Sequence, residues 1–599
     1  MIRPYIKPLS TALLLGLLVA DPIWAEQEGG TTDQEVATSS GKRRVRRGMV
    51  RSVESSDVDT TIRAPEYPRL GETPAPGPAV LPSLPQSGPD HSLSAVNRLM
   101  LRSVLITGNQ VLSDDEAQAL VAPWLNRELT MEELLQLKDA VTQWYIERGY
   151  VTSGATLPDQ QVSDGIVRLQ VVEGLLGDVT VQGNKQLRAS YITERLQPSA
   201  RQVVNIHDME QQFQILRQKE MIEQVHAELR PGLTAGEAIM DVRVEERRPW
   251  QLLFGYNNQG SPNMGAQRLS VGALHRSVLG WGDHLEGEVI HSRGEDNYAF
   301  SYNLPLVWFG LPDSSFFVKS GHTGSSVIVA PFDGIGVSGR SRTHAVGLRH
   351  ALWKTMLDEV AVSVSLQRRQ SQTFLSGAPY QYTQSDSDAR TVVNTLNFGQ
   401  EWHHRDQNQV LALLSTFSKG LNLNGTTQLP NEPDGRFLAW LGQIQWARRL
   451  PFLESQLITR LAYRWTTDPM LATEKFTLGG VDTVRGYREG LISRDQGVLA
   501  NLEWRVPTPL KVPLPLVSDP NSDGTISLAL FSDVGKNWDR KQTHTELPRL
   551  ASVGVGLLWE INRDSSVAIY LAEALNNVRH SNEDLQDRGV HFRVTLAPF

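Results

Sequence analysis

Leu478-Gly479-Gly480-Val481-Asp482-Thr483-Val484-Arg485-Gly486-Tyr487 and, about one strand later, Phe531-Ser532-Asp533-Val534-Gly535-Lys536-Asn537-Trp538 decide the fold of this chain. The first segment reads as the tip of a long loop, because Gly479, Gly480 and Gly486 can take positive φ and the surrounding sequence has no sustained period. The second ends a strand. Ile526, Leu528 and Leu530 alternate with Ser527, Ala529, Phe531 and Asp533, so the carboxylate lies on the face opposite the aliphatic row. In a membrane barrel that face is the lumen. A loop arginine and a lumen carboxylate suit each other, since a planar guanidinium grips a carboxylate with two parallel hydrogen bonds. The alternative is a solvated loop arginine and an unrelated turn aspartate.

Outward from this stretch, residues 248–599 carry short alternating runs. Val360, Val362, Val364 and Leu366 alternate with Ala361, Ser363, Ser365 and Gln367, and Val553, Val555, Leu557 and Trp559 with Gly554, Gly556 and Leu558. Leu457, Leu461, Tyr463 and Trp465 share a strand with Arg460 and Arg464, whose charges are costly against lipid and so belong inside. Runs of about ten residues with this pattern are the signature of an outer-membrane barrel, and about sixteen of them occur. Long connectors alternate with short ones near Lys354, Asp406 and Leu450, which places Arg485 in the sixth extracellular loop. The Pro507 to Pro515 connector is long where a short turn is expected. Trp250, Trp281, Trp308, Trp353, Trp402, Trp446 and Trp465 fall near run ends, where an interfacial girdle would put them. The chain ends in Phe599, off the row formed by Val590, Phe592, Val594 and Leu596. A soluble β-sandwich or propeller is the competing architecture.

Upstream lie two similar units. Val104-Leu105-Ile106-Thr107-Gly108-Asn109 matches Val179-Thr180-Val181-Gln182-Gly183-Asn184, and each copy continues as helix, helix, strand, strand. Ser113 with Glu116 and Thr130 with Glu133 mark helix starts in the first copy. In the second, a helix begins near Asp208 and a strand runs from Ile239 to Glu245. The expected domains are residues 100–174 and 175–247, each long enough for a small core.

Before them, residues 26–99 have no apolar period and prolines at 65, 68, 74, 76, 78, 82, 85 and 89, the composition of an extended tether. The cluster Lys42-Arg43-Arg44-Val45-Arg46-Arg47 reads as a solvated or anion-touching segment, or as a basic plug in an acidic pore. Arg3 and Lys7 precede an apolar run from Leu9 to Ala20, then Asp21-Pro22-Ile23-Trp24-Ala25, so residues 1–25 read as a secretory signal peptide. The run is too short to span a membrane as a helix, so insertion must use strands.

The absence of cysteine excludes zinc-thiolate sites, catalytic thiols and disulfides, and a formal net charge of -8 argues against nucleic acid. No Gly-x-Ser-x-Gly elbow, His-Glu-x-x-His helix or phosphate-binding Gly-x-x-x-x-Gly-Lys loop occurs, so neither an enzyme nor a nucleotide cofactor is expected. His403-His404 beside Glu401 and Asp406 reads as a polar strand end rather than a metal site, because neighbouring strand residues face opposite sides.

Two units with the Gly-Asn turn, about sixteen antiparallel strands, a sixth loop with Val484-Arg485-Gly486-Tyr487 and a strand with Phe531-x-Asp533-x-Gly535 together resemble the transporters of two-partner secretion. These are the hemolysin and filamentous-adhesin secretion and activation proteins, within the superfamily that includes barrel-assembly factors. The resemblance covers roughly residues 100–599 and implies two polypeptide-transport-associated (POTRA) domains in the periplasm and a barrel in the outer membrane. It implies that the sixth loop folds into the lumen, that Arg485 meets Asp533 and that Gly486 permits the bend beside them. The implied partners are a hemolysin- or adhesin-like secreted client and outer-membrane lipid, for a monomer without cofactors. An assembly factor for membrane proteins and a passive porin are the rival readings.

Overall fold

The computed structural model describes residues 98–162, 164–196, 203–232, 234, 236–330, 333–380, 389–423, 425–428, 433–515, 523–541, 549–576 and 584–597. Residues 1–25, expected as a signal peptide, the expected tether up to residue 97 with its basic cluster, and Phe599 lie outside the described residues.

Apart from a short antiparallel pair, Leu99–Leu101 with Arg127–Leu129, the first module opens with a strand at Ser103–Thr107 and helices at Asp114–Val121 and Met131–Glu147, and closes with strands at Gly154–Thr156 and Ile166–Val172. The strand Ile166–Val172 is central, parallel to the first and antiparallel to the short one. The second module repeats this order with Leu175–Gln182, Ala189–Leu196, Ile206–Arg217, Ile222–Pro231 and Glu237–Glu246, the last again central. Both Gly-Asn turns are built alike. Gly108 (φ 85°) and Gly183 (φ 83°) pass so close to Val171 and Val244 that a Cβ would sit 2.4 Å from the carbonyl oxygen, so glycine is required at each. The next amides are held by an acid at the end of the central strand. Glu173 accepts from Gln110 N and Val111 N, and Glu246 from Lys185 N, Gln186 N and Leu187 N. Thr130 and Glu133 form a complete capping box, whereas Ser113 accepts from Glu116 N while its hydroxyl donates to the Glu116 carboxylate instead of leaving it to the cap amide.

Sixteen antiparallel strands then close into a barrel. They are β1 (Trp250–Asn257), β2 (Arg268–His275), β3 (His284–His291), β4 (Glu295–Leu306), β5 (Leu311–Ser326), β6 (Val337–Lys354), β7 (Asp358–Leu375), β8 (Arg390–Arg405), β9 (Gln409–Leu421), β10 (Leu438–Arg449), β11 (Gln456–Thr466), β12 (Gln496–Lys511), β13 (Thr525–Trp538), β14 (Arg549–Glu560), β15 (Ser566–Ala574) and β16 (Val590–Leu596). Closure is made by β16 against β1, with Thr595 opposite Gly255. The aliphatic rows face out: Leu348, Leu530 and Leu571 are each more than half exposed while Asp533 is fully buried. An outer wall of bare leucine and valine is stable only against lipid. Arg460 and Arg464 point inward and are buried. No helix among the described residues is long and apolar enough to cross a membrane. The proline-bearing connector after β12 is partly strand, since the β12 ladder continues past Pro507 and resumes at Lys511 opposite Thr525 after an irregularity.

Trp281 departs from the girdle expectation. It packs against the second module, under Arg188 at 5.4 Å and beside Trp308, because the turn after β2 is where that module docks. Arg188 N donates to Gly280 O (2.9 Å), Gln218 Nε2 donates to Met356 O (3.2 Å), and Val307, in the turn after β4, is buried in the module's own core. The turns after β2, β4 and β6 all touch the second module, which identifies that rim as the periplasmic one.

Candidate functional site

The loop between β11 and β12, residues 467–495, folds into the barrel. A small hairpin, Phe476–Leu478 paired with Ile492–Arg494, forms its stem. Phe476, Leu478, Val484 and Tyr487 are buried against Ala462, Leu499 and Leu550 of the wall. The loop therefore has a core of its own inside the lumen.

At its tip, Arg485 Nε and Nη2 donate to Asp533 Oδ2 and Oδ1, each at 2.8 Å, and Arg485 N adds a third bond to Oδ2 at 3.1 Å. Nη1 donates to Glu503 on β12, which also accepts from Arg505 Nε. Asn501 Nδ2 ties Asp533 Oδ1 (2.8 Å) and the Thr483 carbonyl together. The guanidinium lies 3.6 Å from the centre of the Phe531 ring and 4.9 Å from that of Tyr570. Two carboxylates, two guanidinium groups and two aromatic faces thus meet where Arg485 is 2 % exposed and Asp533 0 %. A charge pair this deeply buried is tolerable only because nearly every lone pair and proton is matched.

The strand motif explains itself on one face. Phe531, Asp533 and Gly535 all point inward: the ring stacks on the cation, the carboxylate grips it, and the glycine leaves room. A Cβ at Gly535 would sit 2.9 Å from Leu478 and 3.0 Å from Val484. In the loop motif, Gly486 has φ 85° and would bring a Cβ to 3.0 Å from Ala572, while its amide donates to His591 Nε2 (2.9 Å). That bond leaves the imidazole proton on Nδ1. The Tyr487 hydroxyl donates to Ala551 O (2.9 Å) and accepts from Asn576 N (3.1 Å). Arg488 makes a two-pronged pair with Asp587 of the eighth loop, and Glu489 N donates to Gln586 Oε1.

Arg485, Val484, Gly486 and Tyr487 are therefore brought together with Phe531, Asp533 and Gly535. Glu503, Asn501, Tyr570, His591 and the Arg488 to Asp587 pair were not singled out in the sequence. Asn501, Glu503 and Arg505 alternate with Leu502 and Trp504, an inward polar row that carries the missing signal. His404 engages Asp358 (Nδ1 to Oδ1, 2.9 Å) and Asp406 while His403 lies 3.7 Å from Glu401, so the two rings serve separate neighbours.

A barrel with an extracellular loop anchored in its lumen, preceded by two small α+β modules of which the second docks on the rim, is the architecture of the outer-membrane barrels that carry POTRA domains. The profile of the haemolysin secretion/activation protein ShlB/FhaC/HecB family matches residues 236–558, more than half of the chain, and that of the ShlB-type POTRA domain matches 99–174. This protein belongs to that family of outer-membrane transporters. It is similar to the outer membrane transporter CdiB of Escherichia coli O6:K15:H31, 26 % identical over 409 residues covering 66 % of each chain. The heme/hemopexin transporter protein HuxB of Haemophilus influenzae (strain 86-028NP) is 22 % identical over 500 residues, 79 % of this chain and 83 % of the relative. The alignment thus spans about two thirds of the CdiB relative's length. The solved structure of CdiB from Escherichia coli shares the fold, with a TM-score of 0.62 at 22 % identity, covering 86 % of this chain and 93 % of that one. The family is one of transporters and not of enzymes.

Proposed function

We propose that the chain exports a secreted partner protein, held extended in the periplasm, through its barrel without ATP, and that the Arg485 to Asp533 contact is the latch on the loop obstructing that route. The observation that carries this reading is the sixth loop itself. It has a buried apolar core and a charge cluster within the lumen, so an extended polypeptide and the anchored loop compete for the same space. Residues 100–174 and 175–247 act as the periplasmic receptor. The strand edges at Leu175–Gln182 and Ile222–Pro231 offer unpaired backbone groups to which an extended client can add as a further strand. Folding of the client outside supplies direction, since a folded domain cannot return. The transporter works as a monomer in outer-membrane lipid, with a client of the hemolysin or adhesin kind.

The chain has no cysteine, so the test is direct. Paired cysteines that tie the sixth loop to β13 should abolish export in oxidising medium and restore it on reduction, with barrel insertion unchanged. Export at the normal rate with the loop covalently held would end the reading. Depletion separates the rivals: loss of one exoprotein supports export, and a general fall in barrel proteins supports an assembly factor.

A further inference from the structure

The outward face of β6 reads, toward its extracellular end, Leu348, Val346, His344, Arg342 and Arg340, all on one side of an unbroken ladder with β5 and β7. Leu348 and Val346 are exposed lipid-facing residues, and Arg342 and Arg340 share their exposure. Arg342 stands four residues beyond Val346, roughly 13 Å along the strand, so the cations begin where the apolar band ends. Neighbouring strands repeat the change. On β7, Val364 and Leu366 give way to Arg368, which faces His344 in register and donates to Asn394 Oδ1 (3.2 Å). On β9, Lys419 follows Phe417, whose ring lies beside Trp440, itself beside Tyr463. Arg340 lies 5.4 Å from the Phe374 ring, and His322, opposite Arg342, stacks on Tyr298 at 6.3 Å.

Arg340, Arg342 and Lys419 pair with no carboxylate among the described residues. Asp296, an outward carboxylate toward the same end of neighbouring β4, is taken by His291 at 2.7 Å, and outward Asp358 lies at the opposite, periplasmic end of β7, where His404 and Trp402 hold it. On the far side of the barrel the outward cations Lys536 on β13 and Arg549 on β14 have an outward carboxylate nearby, Glu573 on β15, one strand from Arg549 and two from Lys536, so the imbalance is local to β5 through β9. The groups lie on the outer wall, which a client passing through the lumen never meets. Their ligand must be a component of the membrane at headgroup depth.

We propose that this cationic rim binds the phosphates of a phosphorylated glycolipid in the outer leaflet, with guanidinium groups on the phosphates and the aromatic belt below against its acyl chains. Guanidinium and phosphate match in two-pronged geometry, and each cation near an anionic surface adds to the affinity. The inference rests on the barrel lying in the outer membrane and is independent of whether it exports a protein.

The test is lipid retention by the full-length protein purified in detergent, with added lipid A as the probe. The triple variant R340Q/R342Q/K419Q is compared with K536Q/R549Q, each first shown by heat-modifiable gel mobility to keep a closed barrel. The wild type and K536Q/R549Q should bind alike, and the triple variant about tenfold or more weakly, with the difference shrinking at high salt. Equal binding by the triple variant overturns the proposal. So does inorganic phosphate competing as well as lipid A, which would assign the rim to free anions. Export is measured in parallel, and its loss or survival does not bear on the lipid result.

Discussion

Arg485 spends its guanidinium on two strands at once: Asp533 on β13 takes Nε and Nη2 in parallel bonds of 2.8 Å, and Glu503 on β12 takes Nη1. The cation is shared, so its removal leaves Asp533 buried without a guanidinium and Glu503 with Arg505 alone, while loss of either acid leaves the cation one carboxylate. Arg485→Ala should therefore destabilise the seated loop by about 3–5 kcal/mol. Asp533→Asn, which keeps the hydrogen-bonding shape and leaves Glu503 in place, should do less. Lysine cannot span both acids, so Arg485→Lys should fall between them. Client export and the temperature of heat-modified gel mobility both read the order, and an Arg485→Ala barrel that matches wild type in each would remove the latch from the mechanism.

Gly535 is the seat on which Val484 and Leu478 rest. Its φ is unremarkable, so alanine there adds no backbone strain and the cost is overlap alone, about 1–3 kcal/mol. Gly535→Ala should lift the loop without touching a charge, seen as faster tryptic cleavage at Arg485 and Arg488 in intact cells. An unchanged cleavage rate would mean the overlap is absorbed elsewhere.

The two-residue period made the barrel legible: a row such as Val360, Val362, Val364 and Leu366 states both that a strand is present and which side meets lipid. Arg485 and Asp533 were legible through short motifs on a loop and a strand. Glu503 was not, because a single inward acid between Leu502 and Trp504 looks like any polar residue until the neighbouring strand is known. Trp281 misled for a related reason, since a tryptophan at a strand end is equally suited to a lipid interface and to a protein contact. Only the fold shows that Arg188 and Tyr191 wait there.

Tyr145 gives the first module a predictable response to base. Its buried ring donates its hydroxyl to Glu173 (2.8 Å), and burial first, then that carboxylate, hold the phenol well above its ordinary value of 10. The folded state thus keeps the proton longer than the unfolded one. The stability this provides is fully present below pH 10 and is lost as pH rises from there toward the raised folded value. Tyr145→Phe should be less stable than wild type at neutral pH by about 1–2 kcal/mol and flatter above pH 10. Hydrogen exchange of the central strand Ile166–Val172 at several pH values measures both, and parallel profiles for the two proteins would contradict the assignment.

The second module is completed by the barrel. Val307 is fully buried in its core, and Gly282 lies so close under Tyr191 that a Cβ would sit 2.5 Å from the hydroxyl. Asp283 sets that turn, accepting from Val278 N, Leu279 N and the Tyr302 hydroxyl. A module that borrows part of its core from the rim is held at one angle. Trp281→Ala removes the platform under Arg188 and should weaken docking by about 2 kcal/mol, while Val307→Asp, burying a carboxylate in the module, should release it. Spin labels on cysteines introduced at Glu228 and Thr355 report the angle, there being no native cysteine to interfere. A narrow distance distribution should broaden in Trp281→Ala and become wider still in Val307→Asp. If all three proteins gave the same narrow distance, the module would be held by something other than this seam, and the strand edge it offers a client would be oriented by different residues.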